Sequence, residues 1–282
     1  MLLKIEKRSE YSKAMVYLTP IIALTLTVLT SILLFELLGV NPIEALYQFF
    51  VAPLDTLYEF SELFVKATPL IFCAIGLSVG FRANVWNIGA EGQLTMGAIV
   101  GSSLFIYFPE TDSIFLLPAM IIMAAIGGAA WAAIPAFFKT RFNANEILTS
   151  LMLVYVALLF LSVLIHGPWR DPAGFNFPES QTFSESADMP ILIAGTRMHF
   201  GTLLALLAVF GAWIMMARTL IGFQVKVIGE APRAGGYAGF SQKKIIWLTL
   251  LFAGALSGIA GFSEVSGPID QVVPSISPGY VC

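Results

Sequence analysis

Apolar runs of membrane-spanning length recur along this chain, and they leave few architectures open. A helix crossing a hydrocarbon layer needs roughly 20 mostly apolar residues. Seven runs reach or approach that length: 16–38, 63–80, 94–108, 114–138, 147–165, 200–217 and 245–262. With 57% hydrophobic residues, 12% charged residues and a mean hydropathy of +0.83, the chain reads as all-α, a polytopic transmembrane helical bundle of about seven spans. The run 94–108 is short, so a tilted, broken or partly re-entrant segment is expected there. The run 16–38 is too long for a signal peptide, and no small-residue cleavage site follows it.

Charge gives an independent test of orientation, because cytoplasmic loops of membrane proteins collect Lys and Arg. With residues 1–15 inside, Lys4, Lys7, Arg8, Lys13, Arg82, Lys139, Arg141, Arg218, Lys226, Arg233, Lys243 and Lys244 all fall on the cytoplasmic side. Only Lys66, Arg170 and Arg197 remain outside, among most of the acids. The net charge of -3 therefore hides an asymmetry across the bilayer and points to lipid, not nucleic acid, as the surroundings. Three connections stand out in this single domain of residues 1–282. Residues 41–62 form an amphipathic stretch suited to lying on the outer surface. Residues 166–199 are a proline-rich extracytoplasmic loop, and 218–244 are the largest cytoplasmic loop.

No catalytic motif is present: there is no phosphate-binding G-x-x-x-x-G-K-[ST], no H-E-x-x-H and no Cys/His cluster with metal spacing. No catalytic residue, metal or cofactor is expected. Cys73 reads as a small buried hydrophobe and Cys282 as a terminal thiol. His166 and His199 flank the outer loop and read as solvated surface histidines.

Polar residues inside apolar surroundings are the candidate functional groups, since an unpaired polar group in lipid costs several kcal/mol. The tract 81–98, FRANVWNIGAEGQLTMGA, places Asn84, Asn87, Glu91 and Gln93 around two glycines that let the backbone leave the helix. Such a break suits a translocation path; the plainer alternative is that the amides satisfy broken backbone while Glu91 pairs with Arg82 or a neighbour. Asn145 is placed to cap the fifth helix, with Glu146 in its first turn, and a pathway role is the alternative to capping. Glu264 near the end of the seventh run and Glu36 near the end of the first are further acids, with interface exposure as the simple reading. In 228–240, Pro232 near a start and Gly239 near an end mark a short helix, with Arg233, Tyr237 and Phe240 as knobs for a partner. The pairs Gly76/Gly80, Gly97/Gly101 and Gly254/Gly258 fit close helix packing.

At these residues the chain resembles the integral-membrane permease subunits of bacterial ABC importers for nucleosides and simple sugars. The resemblance rests on 66–98 (KATPLIFCAIGLSVGFRANVWNIGAEGQLTMGA), 145–153 (NEILTSLML), 228–240 (IGEAPRAGGYAGF) and 256–267 (LSGIAGFSEVSG). It implies alternating access in the bacterial cytoplasmic (inner) membrane, powered by a separate ABC ATP-binding subunit. It also implies a second permease subunit, identical or related, and an extracytoplasmic solute-binding lipoprotein. By this resemblance Gly229, Pro232, Arg233, Ala234, Tyr237, Ala238, Gly239 and Phe240 belong to the helix that couples to the ATPase. Asn84, Asn87, Glu91, Gln93, Asn145, Glu146 and Glu264 are then candidates for the translocation path.

Two departures matter. Ala231-Pro232 and Ala234-Gly235-Gly236 stand where the family usually has Asn-Pro and Ala-Ala-Arg, and each glycine weakens a helix interior by roughly 1 kcal/mol relative to Ala. The chain also stops where family members run on into further helices, so a C-terminal truncation is expected. A nucleoside is the favoured solute, from the character of the outer loop. A branched-chain amino acid or monosaccharide permease is the near alternative, an ion-coupled secondary transporter the distant one, and a membrane scaffold predicts no flux.

Overall fold

The computed structural model describes residues 12–277 and Gly279. The basic residues Lys4, Lys7 and Arg8 of the expected cytoplasmic N-terminus and the Cys282 thiol lie outside the described residues. By its internal contacts the chain divides into Met1–Phe60 and Ser61–Cys282.

The first unit holds α1 (Lys13–Leu37) and α2 (Pro42–Phe50), followed by a 3-10 turn, Ala52–Leu54. Gly39, with φ of +72°, closes α1, and Asn41 opens α2 by accepting from the Ile43 amide at 3.1 Å with Pro42 preset for the first turn. Phe35 and Phe49 stack at 6.3 Å between the two helices. The Tyr47 hydroxyl donates to the Asp55 carboxylate, tying α2 to the turn after it. The amphipathic stretch expected over 41–62 is thus a nine-residue helix and a turn, none of whose residues is buried, while residues 57–62 already belong to the long helix that follows.

The second unit takes up α3 (Leu57–Arg82), most of which lies beyond the division. It continues with α4 (Ala90–Tyr107), α5 (Leu116–Phe142), α6 (Glu146–His166), α7 (Phe200–Arg218), α8 (Leu220–Glu230), α9 (Pro232–Tyr237) and α10 (Gln242–Glu264). A π-helical turn, Val265–Ile269, extends α10. Among the described residues, six helices are long and apolar enough to cross a membrane: α1, α3, α5, α6, α7 and α10, the last taken with its π-helical extension. α4 falls short of that measure because its first turn carries Glu91 and Gln93, so by length and composition six of the seven expected spans stand.

Glycine sets the packing of α4, α5 and α10. A β-carbon on Gly97 would lie 2.1 Å from the Gly258 Cα, one on Gly128 2.1 Å from the Gly254 carbonyl oxygen, and one on Gly258 2.2 Å from the Ala124 carbonyl oxygen. The three backbones therefore touch where any side chain would hold them apart, the arrangement that small residues permit in lipid. Gly76 of α3 meets Ala253 in the same way, at 2.7 Å. Of the glycines read from the sequence as packing pairs, Gly76, Gly97, Gly101, Gly254 and Gly258 are found at such contacts, whereas Gly80 meets only the Val85 carbonyl just past the end of its own helix; Gly127 and Gly128, which pack α5 on α4 and α10, were not among them.

Candidate functional site

α3 ends because Asn84 adopts a left-handed conformation, φ +56°, while the Val85 amide reaches back to Gly80 O at 2.9 Å and the Asn84 amide to Phe81 O at 3.1 Å. This paired closure satisfies the last carbonyls of the helix. The Asn84 side chain stays exposed and accepts from the Trp86 indole at 3.3 Å. It terminates a helix and takes no part in the buried cluster that follows.

From residue 85 to 89 the backbone is irregular, and its polar groups are met internally. Asn87 and Gln93 exchange two hydrogen bonds, Asn87 Nδ2 to Gln93 Oε1 at 2.9 Å and Gln93 Nε2 to Asn87 Oδ1 at 3.0 Å. The Gly89 amide donates to the same Asn87 oxygen at 3.1 Å, and the Ile88 amide to Ser150 Oγ at 3.2 Å. Both carboxamides are almost fully buried, so the clasp answers the desolvation each would otherwise suffer. Gly89 sits against Ser150 and Gly92 against Val154, four and eight residues into α6. At 1.5 Å per residue, α4 therefore begins about 6 to 12 Å inside the foot of α6.

Glu91 lies in the first turn of α4 and is 5% exposed. Arg82 is not its partner: among the described residues no ion pair reaches Glu91, and its Oε2 has no hydrogen-bond partner. Ser257 Oγ on α10 is likewise unpartnered among the described residues, and the Cys73 thiol of α3 lies beside Ser257 and near Glu91. A buried carboxyl, hydroxyl and thiol thus form a small polar cluster in the packing of α3, α4 and α10.

Asn145 caps α6 by accepting from the Ile147 amide at 2.9 Å, and Glu146, buried, pairs with Lys139 Nζ at 2.7 Å. This ion pair joins the last turn of α5 to the first of α6, below the clasp and at the same end of the bundle as Arg82. Glu264 is elsewhere: it closes α10 at the opposite end and binds Lys66 Nζ at 3.2 Å. Of the seven path candidates, Asn87 and Gln93 touch, Glu91 lies between them in the chain, and Asn145 and Glu146 form the base. Asn84 and Glu264 stand apart.

The segment resembling a coupling helix also gathers at the Arg82 end. Gly229, near the close of α8, lies against the end of α3, where a β-carbon would sit 2.0 Å from the Arg82 carbonyl oxygen. Val225 and Ile228 of α8 pack with Ala83 and Val85 of the break and with Ile245 and Leu250 of α10. Pro232 starts α9 at its first turn, and Gly239, φ +82°, ends it, with the Phe240 amide reaching Gly235 O at 2.9 Å. The helix forms despite its two glycines because Gly235 is the residue against Ile228, where a β-carbon would sit 2.6 Å from Cδ1. Arg233, Ala234, Ala238 and Tyr237 face outward, Tyr237 at 95% exposure, while Phe240 meets the edge of Phe223 at 6.0 Å.

At the Glu264 end, residues 166–199 fold onto the chain after α10. The Met189 amide donates to Ser266 O at 2.8 Å, Phe183 to Asp270 O at 2.8 Å and Ser180 to Val272 O at 3.0 Å. Arg197 grips the Glu62 carboxylate with two donors, Nε to Oε1 at 2.9 Å and a second to Oε2. A cavity of about 500 Å³ opens here, bordered by Glu185, Asp188, Asp270, Arg197 and His199. The reading of His199 as a solvated histidine is corrected: it is 2% exposed, caps α7 by accepting from the Gly201 amide at 3.2 Å, and lies against Gly201 and Gly267. Burial pulls its pKa down to about 4. Burial pushes Asp188 up to about 6, with repulsion from Asp270 and Glu185 added, and raises Asp270 against the pull of Arg197. His166 is exposed, as expected. No local pattern marks this cavity in the sequence, because contacts some 80 residues apart create it.

Residues 59–280 match a protein family described as the permease component of the branched-chain amino acid transport system. The chain belongs to this family. It is an ABC importer permease, a multi-pass membrane protein and a transport component rather than an enzyme. It is 32% identical to a glucose ABC transporter permease of Haloferax volcanii, over 99% of this chain and 75% of that one. A nucleoside ABC transporter permease of Lactococcus lactis is 28% identical over 86% of this chain and 69% of its own length. A guanosine ABC transporter permease of Bacillus subtilis is 29% identical over 90% and 73%. No solved structure matches the chain. Membership sets aside the ion-coupled carrier and the scaffold.

Proposed function

We propose that this permease carries a nucleoside across the bacterial cytoplasmic membrane, with its N-terminus and the Arg82 end of the bundle inside. The observation that carries the reading is the amide clasp of Asn87 and Gln93, beside Glu91, buried well inside the span region of an ABC importer permease. Neutral hydrogen-bonding groups held in fixed positions suit a polar, uncharged solute better than an ion. Asn84, Asn145, Glu146 and Glu264 border the same path at its turns and ends. The nucleoside and guanosine permeases among the relatives support this solute class. A simple sugar is the second reading, favoured by the Haloferax glucose permease, which aligns over nearly the whole chain.

In this reading α9, with Gly229 behind it and Arg233, Ala234, Tyr237, Ala238, Gly239 and Phe240 along it, seats in an ABC ATP-binding subunit. A second permease, identical or related, completes the path, and a solute-binding lipoprotein docks on the opposite side. The test is uptake by the complete importer in proteoliposomes, with labelled guanosine, glucose and leucine offered separately. ATP-dependent accumulation of guanosine alone is the expected result. Accumulation of glucose alone would transfer the assignment to the sugar reading, and of leucine alone would overturn both.

A further inference from the structure

Beside the polar break, on the flank formed by α3, α7 and α8, lies a second cavity of about 350 Å³ that the transport reading does not use. Its mouth carries two cations, Arg82 at the last residue of α3 and Lys226 on α8. Among the described residues neither forms an ion pair. Its wall is apolar: Val79 of α3 and Val209, Trp213 and Met216 of α7. The only hydroxyl there, that of Ser78, is spent on Ile75 O at 2.8 Å. Trp213 and Val209 remain open to the surroundings, with Trp213 stacked on Phe210 at 5.9 Å.

The dimensions fit one chemistry. Ile75 to Arg82 on α3 spans seven residues, so the apolar wall runs about 10 Å into the membrane from the cations, at 1.5 Å per residue. Two positive charges at a helix end, above a strip of that depth and beside an interfacial tryptophan, match an anionic headgroup with the upper part of its acyl chains. A neutral solute leaves both charges unanswered, and a small free anion leaves the apolar wall uncovered.

We propose that this cavity is a binding site for an anionic glycerophospholipid, whose phosphate lies between Arg82 and Lys226 and whose acyl chain lies along Val79, Val209 and Trp213. The proposal rests on α3 and α7 being membrane spans and not on the identity of the transported solute.

The experiment uses the purified full chain in neutral detergent, stripped of lipid. Phosphatidylglycerol, phosphatidylcholine of the same acyl chains, or inorganic phosphate is then added, and retention is read by native mass spectrometry and by thermal unfolding. Phosphatidylglycerol is expected to be retained and to raise the unfolding temperature, while the other two are not. Arg82→Gln with Lys226→Gln should weaken its retention by about thirtyfold, the loss anticipated for two basic side chains facing an anionic headgroup. Arg82→Lys with Lys226→Arg, which keeps both charges, should retain it. Val209→Trp, at an exposed wall position, leaves the cations in place and should displace the acyl chain, so the site remains testable if the neutral pair folds poorly. Equal retention of the two lipids, an effect reproduced by inorganic phosphate, or undiminished preference in the Gln pair or in Val209→Trp would overturn the site.

Discussion

The amide clasp at the foot of α4 and the acidic cavity beyond α10 both remove polar groups from solvent, and they manage that in opposite ways. In the clasp each carboxamide answers the other, with the Gly89 amide as a third member, and nothing in it titrates. In the cavity Asp188 faces Asp270 and Glu185, its Oδ1 has no hydrogen-bond partner among the described residues, and the buried His199 beside it accepts a backbone amide. Mutual satisfaction makes a site rigid and indifferent to pH, whereas crowded like charges make one that responds to it.

The sharpest test of that contrast breaks the clasp on one side. Gln93→Leu strands the buried Asn87 amide and should lower stability by about 1–3 kcal/mol, the penalty of an unmet buried polar group. Adding Asn87→Leu should recover most of it, since neither amide is then left alone. A thermal-unfolding double-mutant cycle in detergent measures this, and additive losses would mean that the two side chains do not act as a pair. Gly229→Ala should come next. Its β-carbon meets the Arg82 carbonyl oxygen, so one of the two backbones must move, and overpacking of that kind costs about 1–3 kcal/mol. Retained wild-type stability would show the contact to be looser than the geometry states.

At the cavity the signature is a slope with pH. His199 is lowered from 6.5 to about 4, so the unfolded chain binds the extra proton between those values, and its share of stability is lost as pH falls from 6.5 towards 4. Asp188 is raised from 3.8 to about 6, so the folded chain holds the extra proton, and stability is lost as pH rises through that range. The two slopes oppose each other across nearly the same window. Asp188→Asn should therefore raise the unfolding temperature at pH 7 and steepen its loss as pH falls from 6.5 towards 4, while His199→Gln, leaving Asp188 alone, should make this site's share of stability rise as pH falls through 6. Unfolding temperatures taken from pH 4 to pH 7 decide this, and parallel profiles for the two variants would refute the assignment. Smallest in stability is Tyr237→Ala. At 95% exposure it should change stability by less than about 0.5 kcal/mol, yet reduce ATP-driven uptake by the complete importer. Unchanged uptake would remove Tyr237 from the docking face.

Much of the helical layout was legible because spans announce themselves by length and end on recognisable residues. Asn145 capped where a cap was expected, Pro232 and Gly239 bounded α9, and all but Gly80 of the paired glycines met neighbouring helices. Local pattern failed where a distant segment decides the environment. His199 looks like a loop histidine until residues after α10 close over it, and α4 fails the test of apolar length because two polar side chains in its first turn outweigh its apolar remainder. Glu91 and Arg82 are close enough in sequence to suggest a pair. The irregular residues 85–89 separate them, carrying Glu91 into the packing while Arg82 stays at the mouth of a cavity.

Gly229 leaves a final mechanical consequence. With only hydrogen between its Cα and the Arg82 carbonyl, Gly229 makes one point where α8 and the end of α3 meet as bare backbone, flanked by the packing of Val225 and Ile228 on Ala83 and Val85. In the proposed coupling, a push arriving along α8 would bear at that point on the peptide unit that begins the Asn84 turn, with no side chain there to change rotamer and absorb it.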